Sequence, residues 1–332
     1  MLNQQPRIAV VTRETRLKGV LRRWSTLGQA KFVFRRSRAL AATENLDVPQ
    51  AVALSEQAAD EDFESIETED RAYQESIQQL VSSLDFGFPV QVVDRQYLPN
   101  FDFGLCAAVV VIGQDGLVAN TAKYSLEVPI IGVNPDPARF DGVLLPFQLH
   151  EVRPVVQHVL KRQARLRDVT LAQATLHDGQ TLLAFNDLFV GVNSHVSARY
   201  QIRTGDLQEE QSSSGILVCT GAGSTGWMSS VFNMAGGVAT FLGLPQPDQG
   251  PRMAWEDRRL LWAVREPFVS RTTKASLVMG SLADGDDLVV ESQMPAGGVI
   301  FSDGVESDFL EFNAGSIARI ATAASRARLV VG

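Results

Sequence analysis

Cysteine is nearly absent from this sequence, with two residues, Cys106 and Cys219, among 332. Both sit inside apolar runs, where a free thiol behaves as a small hydrophobe, and their separation fits no zinc spacing. Neither a disulfide framework nor a cysteine metal site is expected. Long apolar runs are missing too. The longest, Cys106-Ala-Ala-Val-Val-Val-Ile112, covers seven residues, against the roughly 20 that a bilayer-spanning helix needs, so it reads as a buried strand and no membrane partner is expected. Positive charge is not in excess: 30 Lys and Arg face 38 Asp and Glu, a net −8. Such a chain has no global field to hold a polyphosphate backbone, and nucleic acid is excluded as an expected partner. The segment Arg7-Ile-Ala-Val-Val-Thr12 is periodic from the outset, leaving no room for a charged and then apolar leader. A cytoplasmic location is the expectation. The four histidines, His150, His158, His177 and His195, form no i,i+4 pair, and no serine sits in a G-x-S-x-G elbow. Hydrolase and metalloprotease chemistry lose support, and no metal-ligating side chain is assigned.

What is present is the composition of a globular protein, 45% hydrophobic and 20% charged, at a length that favours two lobes. Over residues 1–150, β-branched runs at Ile8 to Val11, Val90 to Val93, Ala107 to Ile112 and Val128 to Val133 alternate with helical periodicity. That alternation predicts an α/β lobe on a parallel sheet. Between the first two runs, a basic stretch from Arg13 to Arg38 precedes an acidic one from Glu56 to Asp70. Ile66, Tyr73, Ile77, Leu80, Val81 and Leu84 then form one apolar helix face. Val152, Val155, Val156, Val159 and Leu160 place another helix between Glu151 and Arg167, near which a boundary falls. Over 151–332 short runs predict an all-β, sandwich-like lobe. They are Val169 to Leu176, Leu182 to Val192, Ala198 to Ile202, Ile216 to Cys219, Leu260 to Val264, Ala275 to Met279, Leu288 to Val290 and Val299 to Phe301. A helix from Trp227 to Leu242 interrupts them.

Three local features could carry chemistry. In Val109-Val-Val-Ile-Gly-Gln-Asp-Gly116 a strand ends in a turn that opens a helix over Leu117 to Lys123. Such a turn gathers free backbone N–H groups and the positive end of the helix dipole, which suits phosphate. Asp115 adds negative charge there, as an ordinary Asp-Gly turn would, or as a proton acceptor, metal organiser or hydroxyl-orienting group would. Gly221-Ala-Gly-Ser-Thr-Gly226 satisfies G-x-G-x-x-G, but a dinucleotide fingerprint also needs a parallel βαβ unit and an acidic residue about 20 positions on. Asp248 stands at that distance inside a Pro/Gly-rich loop. A small-residue turn where backbones approach closely is the other reading. Adjacent Asn186 and Asp187 interrupt the apolar run from Leu182 and mark either a turn or a polar pair at a cleft.

Taken in order, these pieces resemble the NAD kinase family, particularly its divergent mitochondrial-type branch. Gly113-Gln-Asp-Gly-Leu117 is similar to that family's GGDGT, and Ile131-Gly-Val-Asn-Pro-Asp-Pro137 with Asp141-Gly142 to its GVN-x-DP segment. Phe185-Asn-Asp-Leu188 is similar to LNE-V, and Ser212 to Trp227 to the branch's SSGL…CTGTGS-x-AW. Val264-Arg-Glu-Pro267, Phe301-Ser-Asp-Gly304 and Glu311-Phe-Asn313 resemble IREP, VDG and EFN. The resemblance implies an α/β lobe, a β-sandwich-like lobe, and an active site in the cleft between them. Transfer of the γ-phosphoryl of ATP, with Mg²⁺, to the adenosine ribose 2′-hydroxyl of NAD is the implied reaction, in a homodimer. Asp115 corresponds to the catalytic aspartate, Gly113 and Gly116 to amides that meet phosphate. Asn186 and Asp187 correspond to contacts with the adenosine of NAD, Ser224 and Thr225 to dinucleotide contacts near the adenine. The sequence departs from the pattern at Gln114 and Leu117, which replace a Gly and a Thr, at Asp187, which replaces a Glu, and at Ser214, which stands where bacterial members have an aspartate. A catalytically silent nucleotide binder, a lipid kinase-like enzyme and an oxidoreductase using G-x-G-x-x-G are the rival readings.

Overall fold

A computed structural model describes residues 6–24, 26–41, 63–139, 141–245 and 250–332. Glu56, Asp60, Glu61 and Asp62 of the expected acidic stretch, and Asp248, lie outside the described residues. Strands β1 (Arg7–Thr12), β2 (Val90–Asp94), β3 (Cys106–Ile112) and β4 (Pro129–Val133) pair in parallel in the order β2-β1-β3-β4. Their near-continuous Val/Ile/Ala composition suits strands covered on both faces. Helices α1 (Arg16–Trp24) and α2 (Leu27–Ala41) follow β1, and α3 (Phe63–Ser83) precedes β2. α3 buries Ile66, Tyr73 and Leu80 on the face the periodicity marks. On the other side of the sheet, α4 (Asp115–Ser125) is buried along most of its length, with Leu117, Val118, Ala119 and Ala122 in one core cluster.

The helix expected between Glu151 and Arg167 is α5 (Val152–Leu160). It stops short because Arg162 takes a left-handed backbone, φ 57°, and β5 (Leu166–Leu176) begins four residues later. The run from Leu182 to Val192 is two strands rather than one, β6 (Thr181–Ala184) and β7 (Asp187–Val192), broken at Phe185-Asn186. β8 (Ala198–Thr204), β9 (Leu207–Ser213) and β10 (Ile216–Cys219) follow, and then α6 (Trp227–Phe241). The remaining strands are β11 (Leu260–Val264), β12 (Met279–Leu282), β13 (Leu288–Ser292), β14 (Gly298–Ser302), β15 (Val305–Glu311) and β16 (Ile317–Val330). β12 lies after the expected Ala275 to Met279 run, in register with β11 through Met279 to Leu282.

A six-stranded antiparallel sheet, β12-β11-β10-β7-β14-β15, faces part of a ten-stranded sheet whose path is β2-β1-β3-β4-β16-β13-β8-β9, with β5 and β6 attached through β16. One core lies between the two layers, with Leu188, Val190, Val218, Trp262 and Ile300 from the first and Ala174, Tyr200, Ile202, Leu288 and Ile320 from the second. The fold class is therefore an α/β region plus an antiparallel β region packed as a sandwich. β16 is long enough to belong to both: its start pairs with β13, and its end pairs in parallel with β4 through Arg328 and Leu329. Among the described residues no helix is long and apolar enough to cross a membrane.

Candidate functional site

The parallel strands β1, β2 and β3 end at one edge of the sheet, where α/β folds place ligands. A cleft of about 1140 Å³ opens there, lined by Arg13, Asp94 and Gln114 from the strand ends, by Asn120 and Tyr124 of α4, and by Asp308 of β15. Five guanidinium groups, those of Arg13, Arg16, Arg22, Arg95 and Arg139, stand along it. Arg13 and Arg16 both pair with Glu69 at 2.7 Å, which fixes them at the wall and holds the Glu69 carboxyl below its ordinary range against the effect of burial. Guanidinium forks suit phosphate oxygens, but the cleft also carries Glu14, Glu69, Asp94 and Asp308, and Arg22 pairs with Glu14 at 3.0 Å, so three of the five forks are already engaged by carboxylates of the chain.

Asp115 is the first residue of α4, half-buried beside exposed Gln114 and Gly116. Its carboxylate accepts the Leu144 N–H at 2.8 Å and the Val143 N–H at 3.2 Å. These two amides are presented by a turn in which Gly142 has φ +64°, a backbone that side-chain-bearing residues rarely take. The Asp141-Gly142 segment thus orients the carboxylate, and the helix terminus supports its charge. Leu117, which departs from the family pattern, is buried in the core under the sheet and does not line the cleft. Gln114 does line it, so of these two departures it is the one able to affect a ligand.

Asn186 and Asp187 stand at the break between β6 and β7, and what shapes that break is Asp303, in the tight turn between β14 and β15. The Asp303 carboxylate accepts three successive backbone N–H groups, from Phe185 at 3.0 Å, Asn186 at 2.6 Å and Asp187 at 3.3 Å. In return the Asp303 N–H donates to the Asp187 carbonyl at 3.0 Å. Its counter-ion is Lys123, two turns along α4 from Asp115. The ammonium lies 4.0 Å from Asp303, with side-chain exposures of 2% and 1%, and donates to Ser302 Oγ at 2.8 Å. Burial pulls the Lys123 ammonium below its ordinary range while the two nearby carboxylates oppose this. The Asp303 carboxyl is pushed upward by burial, opposed by Lys123 and the three amides. Tyr124 donates to Asp308 beside the pair.

The Asp187 side chain is 7% exposed, and burial, with Asp303 adding to it, pushes its carboxyl up to about 7.

The Gly-rich turn closes over the same bend. Thr220 Oγ1 donates to the Phe185 carbonyl at 2.6 Å and the Thr220 N–H to the Asn186 carbonyl at 2.9 Å. A Cβ on Gly223 would stand 2.1 Å from the Asn186 carbonyl oxygen, so this glycine is required by close backbone approach. The turn follows β10, antiparallel to both β7 and β11. The parallel unit of a Rossmann fingerprint is therefore not what surrounds G-x-G-x-x-G here. Ser224 is buried, its hydroxyl donating to the Gly221 carbonyl at 2.7 Å and accepting the Met253 N–H at 3.3 Å. Thr225 is exposed.

Sequence reasoning assigned no role to Lys123, Thr220, Asp303 or Asp308. Asp303 was visible only within Phe301-Ser-Asp-Gly304, and Lys123 resembled an ordinary last-turn helix cation. Among the described residues no three His, Cys, Asp or Glu side chains are grouped so as to hold a metal ion.

Of the expected site residues, Gly113, Asp115, Gly116, Asn186, Asp187, Ser224 and Thr225 do not line the cleft, whereas Gln114, next to Asp115, does. In fold, the chain is similar to the solved structure of yeast NADH kinase complexed with NADH, with a TM-score of 0.56 and 14% identity over 99% of this chain and 84% of that one. In sequence, the chain is similar to the NAD kinase of Chlorobium phaeobacteroides, 30% identical over 130 residues that cover 38% of this chain and 45% of the relative. It is also similar to the human mitochondrial NAD kinase 2, 26% identical over 270 residues covering 60% of this chain and 61% of the relative. The matched part spans about half the length of the first of these. No protein-family model matches the chain. The resemblance to NAD kinases is thus supported by sequence relatives, mitochondrial-type ones among them, and by the fold.

Proposed function

We propose that the chain is an NAD kinase-like phosphotransferase that moves the γ-phosphoryl of ATP to the adenosine ribose 2′-hydroxyl of NAD, giving NADP. The observation that carries this reading is the placement of Asp115. Its carboxylate is oriented by two backbone amides next to Gln114, which lines the cleft, and it heads the same helix whose Lys123 is paired with the residue that shapes the Asn186-Asp187 bend. In this reading Asn186 and Asp187 engage the adenosine of NAD, Thr225 and Ser224 lie beside its adenine, and the Gly113 and Gly116 amides meet phosphate. Asp115 orients the 2′-hydroxyl and accepts its proton as the phosphoryl group arrives. Phosphoryl transfer asks chiefly for positioning and charge neutralisation, and the cleft guanidiniums supply the second. A magnesium ion would come with the triphosphate, which needs only one or two protein carboxylates. In this reading Asp94, which lines the cleft, would be one, and the ion would neutralise developing phosphate charge.

The two lobes of this reading are 1–150 and 151–332, with β16 returning to the first. A homodimer and a cytoplasmic location belong to it as well. The dimer is supported by α6, where Met234, Val238 and Phe241 are exposed on a helix without charged residues. A second reading, a catalytically silent nucleotide binder, is favoured by the side chain of Gln114 at the phosphate-facing turn. The test is incubation of purified protein with NAD, ATP and Mg²⁺, followed by a reporter enzyme specific for NADP. Turnover supports the kinase; binding of NAD by calorimetry without NADP formation supports the silent binder.

A further inference from the structure

Strand β1 is flanked by β2 on one side and β3 on the other, and its pairing with β3 ends at Val11 and Val111. One residue farther on, each strand keeps only its outer neighbour: Thr12 still pairs with Asp94 of β2, and Ile112 with Val133 of β4. β1 and β3 part here, at the kind of switch point where open α/β sheets form a ligand crevice. Backbone groups on the inner edges of such a gap lose their ladder partners and need others. Tyr73 of α3 supplies them. Its hydroxyl accepts the Arg13 N–H at 3.0 Å and donates to the Ile112 carbonyl at 2.8 Å, from a side chain that is 3% exposed. One oxygen stands in for the missing rung between the two strands.

The same helix holds what lies beyond the gap. Arg13 reaches across toward β3, since a Cβ on Gly113 would stand 3.6 Å from Arg13 Cδ. Its guanidinium lies over the Tyr73 ring at 4.8 Å and pairs with Glu69. Glu69 also holds Arg16, and Asp70 accepts the Thr15 hydroxyl at 2.5 Å. Glu69, Asp70 and Tyr73 of α3 thus fix Arg13, Thr15 and Arg16, all three of which line the cleft. Of the α3 residues, Tyr73 is the one that also reaches β3, one residue before the turn Gly113-Gln114-Asp115.

We propose that Tyr73 is a positioning residue for the phosphoryl transfer, its hydroxyl setting the spacing between the cleft wall at Arg13 and the turn that carries Asp115. Transfer between two bound groups is sensitive to such spacing, a misplacement of about 1 Å costing on the order of 10²-fold. The inference rests on the kinase reading above and adds to it a residue outside the cleft.

The test is Tyr73→Phe, which keeps the ring under Arg13 and removes only the bridging oxygen. Its control is Tyr200→Phe, which removes a hydroxyl bonded to Gln211 at 3.0 Å and Ser213 at 2.7 Å in the core between the two sheets. Both variants lose a buried hydroxyl with two partners, and both are expected to melt below wild type. Backbone hydrogen exchange and NADP formation are followed at a temperature where all three proteins are folded. In Tyr73→Phe, exchange should quicken by at least about tenfold over 12–16 and 112–117, as the loss of a buried hydrogen bond implies, and match wild type elsewhere. Its kcat should fall at least about tenfold, while KM for NAD stays within about twofold because the expected NAD contacts stand at the β6–β7 bend and the Gly-rich turn. Tyr200→Phe should keep the wild-type kcat. Unchanged exchange over the two segments overturns the bridge, whether or not the protein is active. Faster exchange with a wild-type kcat, or an equal fall of kcat in both variants, overturns the positioning role and leaves the kinase reading standing. If wild type forms no NADP with any donor, the kinase reading falls and takes the positioning role with it.

Discussion

Lys123 and Asp303 form a buried ion pair at 4.0 Å, and through it the helix headed by Asp115 is tied to the bend that carries Asn186 and Asp187. Removing one partner of such a pair leaves an uncompensated charge, which costs about 3–5 kcal/mol. Lys123→Met is therefore expected to destabilise the protein by about 3 kcal/mol in urea unfolding, and more at pH 8 than at pH 5. The sign follows from Asp303. Its carboxyl is already raised by burial, and without Lys123 it rises further, so low pH lets it take up a proton and lose the unpaired charge. A double variant, Lys123→Met with Asp303→Asn, should recover part of the loss; a double variant as unstable as the sum of both singles would contradict the pairing.

Asp187 gives a pH dependence of its own. With a folded value of about 7 against about 3.9 in an unfolded chain, the folded state holds the extra proton between these limits. The stability it contributes is full below about pH 4 and is lost as pH rises through about 7. Asp187→Asn should remove this part of the slope, so that wild type minus variant melting temperature falls by at least about 3 °C between pH 4.5 and pH 8. A difference that stays flat over that window would show that Asp187 is not raised.

The glycines of the two turns separate packing from chemistry. Gly223→Ala would place a methyl group 2.1 Å from the Asn186 carbonyl oxygen. It is expected to cost about 1–3 kcal/mol as overpacking and to weaken NAD binding. Gly116 has nothing within 4 Å of the corresponding position and lies in the first turn of α4. Gly116→Ala should leave stability unchanged or raise it by up to about 1 kcal/mol, while lowering turnover if its amide meets phosphate. Thermal melts beside NADP formation distinguish the two, and a strongly destabilised Gly116→Ala would place the turn elsewhere.

Much of this architecture is legible in residue patterns, and what is not legible has physical reasons. Asp115 announces itself because a β-branched run ends abruptly at Gly113, and the α3 face is explicit in Ile66, Tyr73 and Leu80. β9 escapes because its inward residues are polar: Gln211 and Ser213 are satisfied by the Tyr200 hydroxyl at 3.0 and 2.7 Å, a network that no hydropathy count reveals. β16 escapes because arginines interrupt its alternation, with Arg328 paired to Glu127 at 2.5 Å, and because its register shifts between Thr322 and Arg326. The role of Lys123 depends on Asp303, 180 residues away in the chain, and only the tertiary fold brings the two together.

The central claim concerns the carboxylate of residue 115, and Asp115→Asn addresses it most directly. The change is nearly isosteric and keeps an acceptor for the Leu144 N–H, so the fold and NAD affinity should persist. With NAD, ATP and Mg²⁺ supplied, wild type is expected to form NADP and the variant to lose at least about 10²-fold in kcat, the scale of a removed general base. A variant that turns over NAD at the wild-type rate would contradict the account.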